Sequence, residues 1–218
     1  MDLNFRIEMM RRFLVVLILI GVTVACSKQK EQEQSVAEKP AQENKIVVPE
    51  GVTIEKQTEA DTLKGSLKAY SLLQSGPVRI AITYHSPAVR GRIIWGGLIP
   101  LGQVWVTGAH MATTFESNYD FVMGDKIIKA GKYALFTIPT KDKWTIIINS
   151  NWQQHLADEY KMEEDIVRFT ITPQTQAENQ ERLQYAIETR STTDFAFHIR
   201  WEKVKVSVPF TIINPEFD

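Results

Sequence analysis

Two arginines one residue apart, Arg90 and Arg92, two tryptophans, Trp95 and Trp105, a threonine, Thr107, and a histidine, His110, all fall between Ser86 and Thr114. These residue types suit recognition of a small ligand. Guanidinium forks offer paired donors to an anion. Indole faces pack on flat or apolar groups, a hydroxyl donates and accepts, and an imidazole titrates near neutral pH. The same stretch holds Gly91, Gly96, Gly97, Gly102 and Gly108, with Pro87 and Pro100. Glycine lets backbone amides approach a ligand, and proline fixes the chain. On a regular strand, positions i and i+2 share a face, so Arg90 and Arg92 would project together. The expectation is that Arg90, Arg92, Thr107 and His110 gather at one end of the fold around a small anionic or polar ligand. The plainer reading is a long ordered connection with Trp95 and Trp105 plugging the core. Their apolar neighbours Ile93, Leu98, Val104 and Val106 imply that both indoles are mostly buried.

No pattern names a reaction. Ser86 in "YHSPA" is not a Gly-x-Ser-x-Gly elbow, and no phosphate loop or dinucleotide fingerprint occurs. No catalytic residue and no cofactor are therefore assigned. His85, His110, His155 and His198 lie on separate segments without His-x-His or His-Glu-x-x-His spacing. Only a meeting in space, with Glu163, Glu164 and Asp165 as oxygen donors, would make a metal site, and none is assigned.

Lys and Arg number 25 against 26 Asp and Glu, a balance without the basic excess of a nucleic-acid binder. The single cysteine, Cys26, excludes an intramolecular disulfide. It stands where an apolar run, Phe13 to Ala25, stops after Arg11 and Arg12. The run has 13 residues, and a spanning helix needs about 20, so the start reads as an export signal. The acids in "MDLNFRIE" fit that poorly, leaving Met1, Met9 or Met10 as the start. "TVAC" resembles a bacterial lipobox, with Thr23 where leucine is usual. Residues 1–25 are thus expected to be a lipoprotein signal peptide and Cys26 the lipidated first residue of the mature chain. Loss of three arginines, one Asp and one Glu would take the net charge from −1 to −2. Residues 26–50, mostly Glu, Gln and Lys, cannot bury enough apolar surface to fold and read as a disordered tether.

After a transition segment, 51–67, the chain gives short β-branched and aromatic runs between turn residues. They include "VRIAITYH", "DFVMGDKIIKAGKYALFTIP" (three runs), "KWTIIINS", "DIVRFTITP", "RLQYAIET", "DFAFHIRW" and "VKVSVPFTII". Only "NWQQHLADEYKM" (151–162) offers a helix. Strands without crossover helices pair antiparallel, so residues 68–214 predict an all-β antiparallel sandwich or related barrel, with a tail at 215–218. In "FAFHIRW", period two puts Phe195, Phe197, Ile199 and Trp201 on one face and Ala196, His198 and Arg200 on the other, polar or semi-exposed.

"ITYHSPAVRGRIIWGGLIPLGQVWVTGAHMATT", "AGKYALFTIPTKDKWTIIIN", "EEDIVRF" and "WEKVKVSVPF" together resemble the domain of unknown function 2911 family, over roughly 68–213. The resemblance implies an exported or lipid-anchored bacterial β-domain without an assigned activity. It also shows a departure: where the family has Arg-Thr-Gly-Ala-Asn-Glu-Ala-Thr, this chain carries Val106, His110 and Met111 at the arginine, asparagine and glutamate positions. The combined reading is a lipid-anchored module of the bacterial cell envelope, with the outer membrane favoured. It binds a small polar or anionic ligand or another envelope protein. The alternative is a hydrolase-like enzyme around Arg90, Arg92 and His110.

Overall fold

The computed structural model describes the backbone of residues 52–57 and all of residues 61–215. The stretches expected to be a signal peptide and a tether, with Cys26, lie outside the described residues. Seven strands form one sheet, in the order β1-β2-β3-β4-β7-β8-β9. They are β1 (Val52–Gln57), β2 (Leu67–Ser75), β3 (Val78–Ser86), β4 (Thr113–Ser117), β7 (Gly131–Pro139), β8 (Trp144–Asn149) and β9 (Asp165–Ile171). The second sheet, in the order β10-β11-β5-β6, uses β5 (Phe121–Met123), β6 (Lys126–Ile128), β10 (Gln174–Thr189) and β11 (Asp194–Ile212). Every paired strand is antiparallel. The two sheets pack as an all-β sandwich.

Alternation sets the inward faces. On β3, Val78, Ile80, Ile82 and Tyr84 are buried, while Arg79 is exposed. Each such apolar side chain contributes about 1.5–3 kcal/mol on burial. β11 doubles back on itself. Phe195 stacks on Phe210 with ring centroids 5.7 Å apart. His198 Nδ1 lies 2.9 Å from Ser207 Oγ, and the Ile212 amide donates to the Thr193 carbonyl. Each pair is centred on Glu202–Lys203, where Glu202 has φ 53°. "DFAFHIRW" and "VKVSVPFTII" are therefore the two arms of one hairpin. Its inner face holds Phe195, Phe197, Ile199 and Trp201, all buried. The outer face is more covered than period two alone implies, for Ala196 and His198 are buried as well.

Three segments differ from the sequence expectation. β1 falls inside the stretch read as a transition, and pairs with β2 from Val52↔Gln74 to Gln57↔Ala69. Residues 151–161 form no helix; among the described residues the only helix is a 3-10 turn, Met162–Glu164, which takes just the last residue of the expected stretch. Two backbone bonds tie 151–162 to the Ser86–Thr114 segment, and the internal one, Tyr160 N to Ala157 O, closes only a turn. Ala112 N donates to Gln154 O, Leu156 N donates to His110 O, and Leu156 has φ 53°. Ile93, expected to help pack the indoles, is 77% exposed; the buried residue there is Ile94.

Candidate functional site

The 86–114 segment joins β3 to β4 by bridging the two sheets. At its start, Val89 N donates to Glu181 O, and Leu183 N of β10 donates to Pro87 O. Further on, Trp105 and Thr137 of β7 exchange both backbone bonds. Arg182, buried on β10, fixes the entrance. Its guanidinium donates to the Gly65 and Ser86 carbonyls and to both Asp61 carboxylate oxygens. The Asp61 carboxyl is held below its ordinary value, first by that bond and then by the Leu63 amide. Ser86 donates its hydroxyl to Leu183 O and is buried.

The segment closes over a cluster of indoles. Trp95 packs edge-on against Trp105, Trp144 and Trp201, at 5.9, 4.9 and 5.7 Å between ring centroids. Trp105 and Trp201 stack at 22°. Trp105 is buried and Trp95 half-buried. The Trp105 Nε1–H donates to Gly108 O, closing the loop that carries Thr107. Gly108 is required there. A Cβ would come within 2.8 Å of Thr113 Oγ1 and 3.2 Å of the His85 carbonyl oxygen.

Beside this cluster lies a cleft of ≈ 290 Å³. Trp105 and Trp201 line it together with Leu98, Ile99, Leu156 and Arg92. The segment therefore supplies aliphatic walls, aromatic surface and one cation. Arg92 is pre-organised: its Nε donates to Val89 O and one terminal nitrogen to Ala88 O. Its other terminal nitrogen has no protein partner among the described residues. The cleft lining holds neither a carboxylate nor a histidine.

The remaining sequence candidates sit differently. Arg90 and Gly91 occupy a turn, with φ 51° and 68°, so the strand geometry that would align Arg90 with Arg92 is absent. The Arg90 amide bonds Glu181 Oε1 while its side chain is exposed, away from the cleft lining. Thr107 is fully buried and serves as a strut. Its hydroxyl bonds Trp105 O and Thr137 Oγ1, and its carbonyl accepts from Tyr185 and Thr113. His110 is exposed, has φ 61°, and meets His85 edge-on at 5.3 Å, outside the cleft lining. Burial, then the His110 and Lys68 charges, hold the His85 imidazole pKa down. Among the described residues no three His, Cys, Asp or Glu side chains converge as a metal site.

The structure thus brings Arg92 and Trp105 to one cleft, with Trp95 supporting it from beneath. It leaves Arg90 and His110 outside and buries Thr107. Sequence reasoning missed Trp201, Leu156 and Arg182, which come from other strands and loops. The inward phase of "FAFHIRW" was the available signal for Trp201. No curated protein and no solved structure matches the chain. Residues 66–210, spanning β2 to the second arm of β11 and so the whole cleft, match a family described as protein of unknown function, DUF2911, and to that family the chain belongs.

Proposed function

We propose that this chain is a lipid-anchored module of the bacterial cell envelope, in the outer membrane by preference, whose sandwich binds a small ligand with a flat apolar body and one anionic group. The observation that carries this reading is Arg92, held by two backbone carbonyls at a cleft lined by Trp105 and Trp201. The apolar lining supplies affinity through burial, and the free terminal nitrogen of Arg92 supplies orientation. Docking of another envelope protein would use the same rim. A hydrolase-like site at Arg90, Arg92 and His110 has less support, because the cleft lining lacks an acid–base pair.

Phenylacetate is a suitable probe, since it joins one ring to one carboxylate. Titration followed by two-dimensional NMR should saturate and shift the Trp105 and Trp201 indole signals. Arg92→Gln should weaken binding about 10- to 100-fold, the worth of a charged hydrogen bond of about 1.5–3 kcal/mol. Neutral phenylacetamide should bind correspondingly worse. Absence of saturation, or shifts confined to other residues, would remove the cleft from consideration. The anchor is tested separately: cells fed an alkyne-labelled palmitate should label the wild-type chain and not Cys26→Ser.

A further inference from the structure

On the outer face of the second sheet, three side chains from three strand segments line up. His198 and Ser207 face each other across the two arms of the β11 hairpin, with Nδ1 and Oγ 2.9 Å apart. His198 Nε2 lies 2.9 Å from Glu188 Oε2 on β10. The protonation pattern follows from the partners. A carboxylate can only accept, so Nε2 must carry the hydrogen and donate it to Glu188. In neutral imidazole Nδ1 is then the lone-pair nitrogen, and Ser207 must donate its hydroxyl hydrogen to it. That is the tautomer a general base needs to take a proton from serine.

The surroundings keep both partners in the required state. His198 is buried, and burial holds its pKa down, with the Lys205 charge acting the same way and Glu188 opposing. Burial of Glu188 alone would raise its pKa, but bonds from His198 and Arg190 outweigh that and keep it lowered. Lys205 precedes Ser207 by two residues on the same arm, so their side chains leave the strand on the same face. Ser207 also lines a groove of ≈ 470 Å³, with Val122, Pro209, Phe169 and Ile171 as its apolar walls. A nucleophile therefore borders a groove able to hold an apolar chain.

We propose that Ser207, His198 and Glu188 form an ester-hydrolysing site whose substrates are carboxylic esters with an apolar acyl chain, the chain lying in the groove. Ser207 Oγ attacks the ester carbonyl carbon as its proton passes to His198 Nδ1. The carbonyl π pair moves to oxygen, and the Lys205 ammonium faces that negative charge. Collapse of the tetrahedral adduct breaks the bond to the alcohol oxygen, which leaves with the proton from His198. Water, deprotonated by His198, then attacks the acyl-serine; the carboxylic acid departs and the Ser207 hydroxyl is restored. Ser207 and His198 are the catalytic residues. Glu188 is a positioning residue, fixing the tautomer and stabilising the imidazolium.

The experiment uses the purified full chain in detergent with p-nitrophenyl butyrate and a fluorophosphonate label. Wild type should release p-nitrophenol with turnover and carry the label on Ser207 by peptide mass spectrometry. Ser207→Ala should lose both while keeping the wild-type circular dichroism spectrum. His198→Gln should lower kcat about 10²- to 10⁴-fold. The acid limb of the wild-type pH profile reports His198, whose charged neighbours are Glu188, Arg190 and Lys205. Glu188→Gln should lower kcat and also move that limb to lower pH, because the carboxylate now raises the His198 pKa. A folded Ser207→Ala protein as active as wild type, or labelling at another serine, would overturn the assignment.

Discussion

Single residues in the 86–114 segment divide into those that meet solvent and those that hold the loop. Trp105 belongs to both groups, being buried yet part of the cleft. Trp105→Ala should therefore cost about 3–5 kcal/mol in urea unfolding, the range for deleting a large buried aromatic. Thr107 is only a strut. Thr107→Val keeps the shape and removes two hydroxyl bonds, so it should cost about 1–3 kcal/mol by leaving a partner unsatisfied. Phenylacetate affinity measured on the same variant should stay within a few-fold of wild type. Gly108→Ala tests the backbone itself. Its new methyl would press on Thr113 Oγ1 and on the His85 carbonyl, which cannot rotate away, so a lowered midpoint is expected from thermal unfolding, with only partial recovery when Thr113→Ala removes the hydroxyl.

At the scale of elements, the Asp61–Arg182 contact ties the chain before β2 to β10 and to the end of β3. Asp61 has a lowered pKa, so its contribution is present above its ordinary value of 3.8 and is lost as pH falls through its lower folded value. Asp61→Asn should remove that part of the acid dependence. Stability of wild type and variant measured from pH 6 to pH 2 should converge at the acid end. The strands around this contact were legible because period-two alternation and turn residues are local signals. β7, β8 and β9 fall on the runs that announced them. The 151–162 stretch misled because two of its backbone hydrogen bonds go to a segment about 45 residues earlier, and no local period reports such a partner. β1 escaped because "VTIEKQ" is polar at alternate positions and acquires strand form from β2. The candidate site was half legible. Arg92 and Trp105 stand in a visibly unusual segment, whereas Trp201 and Arg182 become neighbours only through sheet pairing. The alternation placed His198 on the outer face, but Ser207 becomes its partner only once the hairpin register is set.

For the whole molecule, the sandwich has a seven-stranded and a four-stranded member, and the long β3–β4 connection spans between them. The family match covers 66–210, which includes both sheets except β1 and the last residues of β11. On the proposed reading the part before β1 is address and spacer. Deleting 27–50 should leave the thermal midpoint within about 4 °C, equivalent to roughly 1 kcal/mol for a domain of this size. Cys26→Ser should block acylation and processing, leaving an unlipidated chain that still carries residues 1–25 on mass spectrometry. A midpoint drop well beyond that range would show that the spacer packs on the sandwich.

The crowding of indoles has an optical consequence. Of the five tryptophans, four share one cluster with centroid separations between 4.9 and 6.2 Å, while Trp152 stands apart beneath Lys132. Transition dipoles that close together couple as excitons, so the folded protein should give a split circular-dichroism band in the indole region that vanishes on unfolding. Excitation absorbed anywhere in the cluster also migrates among its rings before emission. With Trp152→Phe the remaining tryptophan emission comes from that one cluster, and the protein carries its own local reporter of whatever enters the cleft beside it.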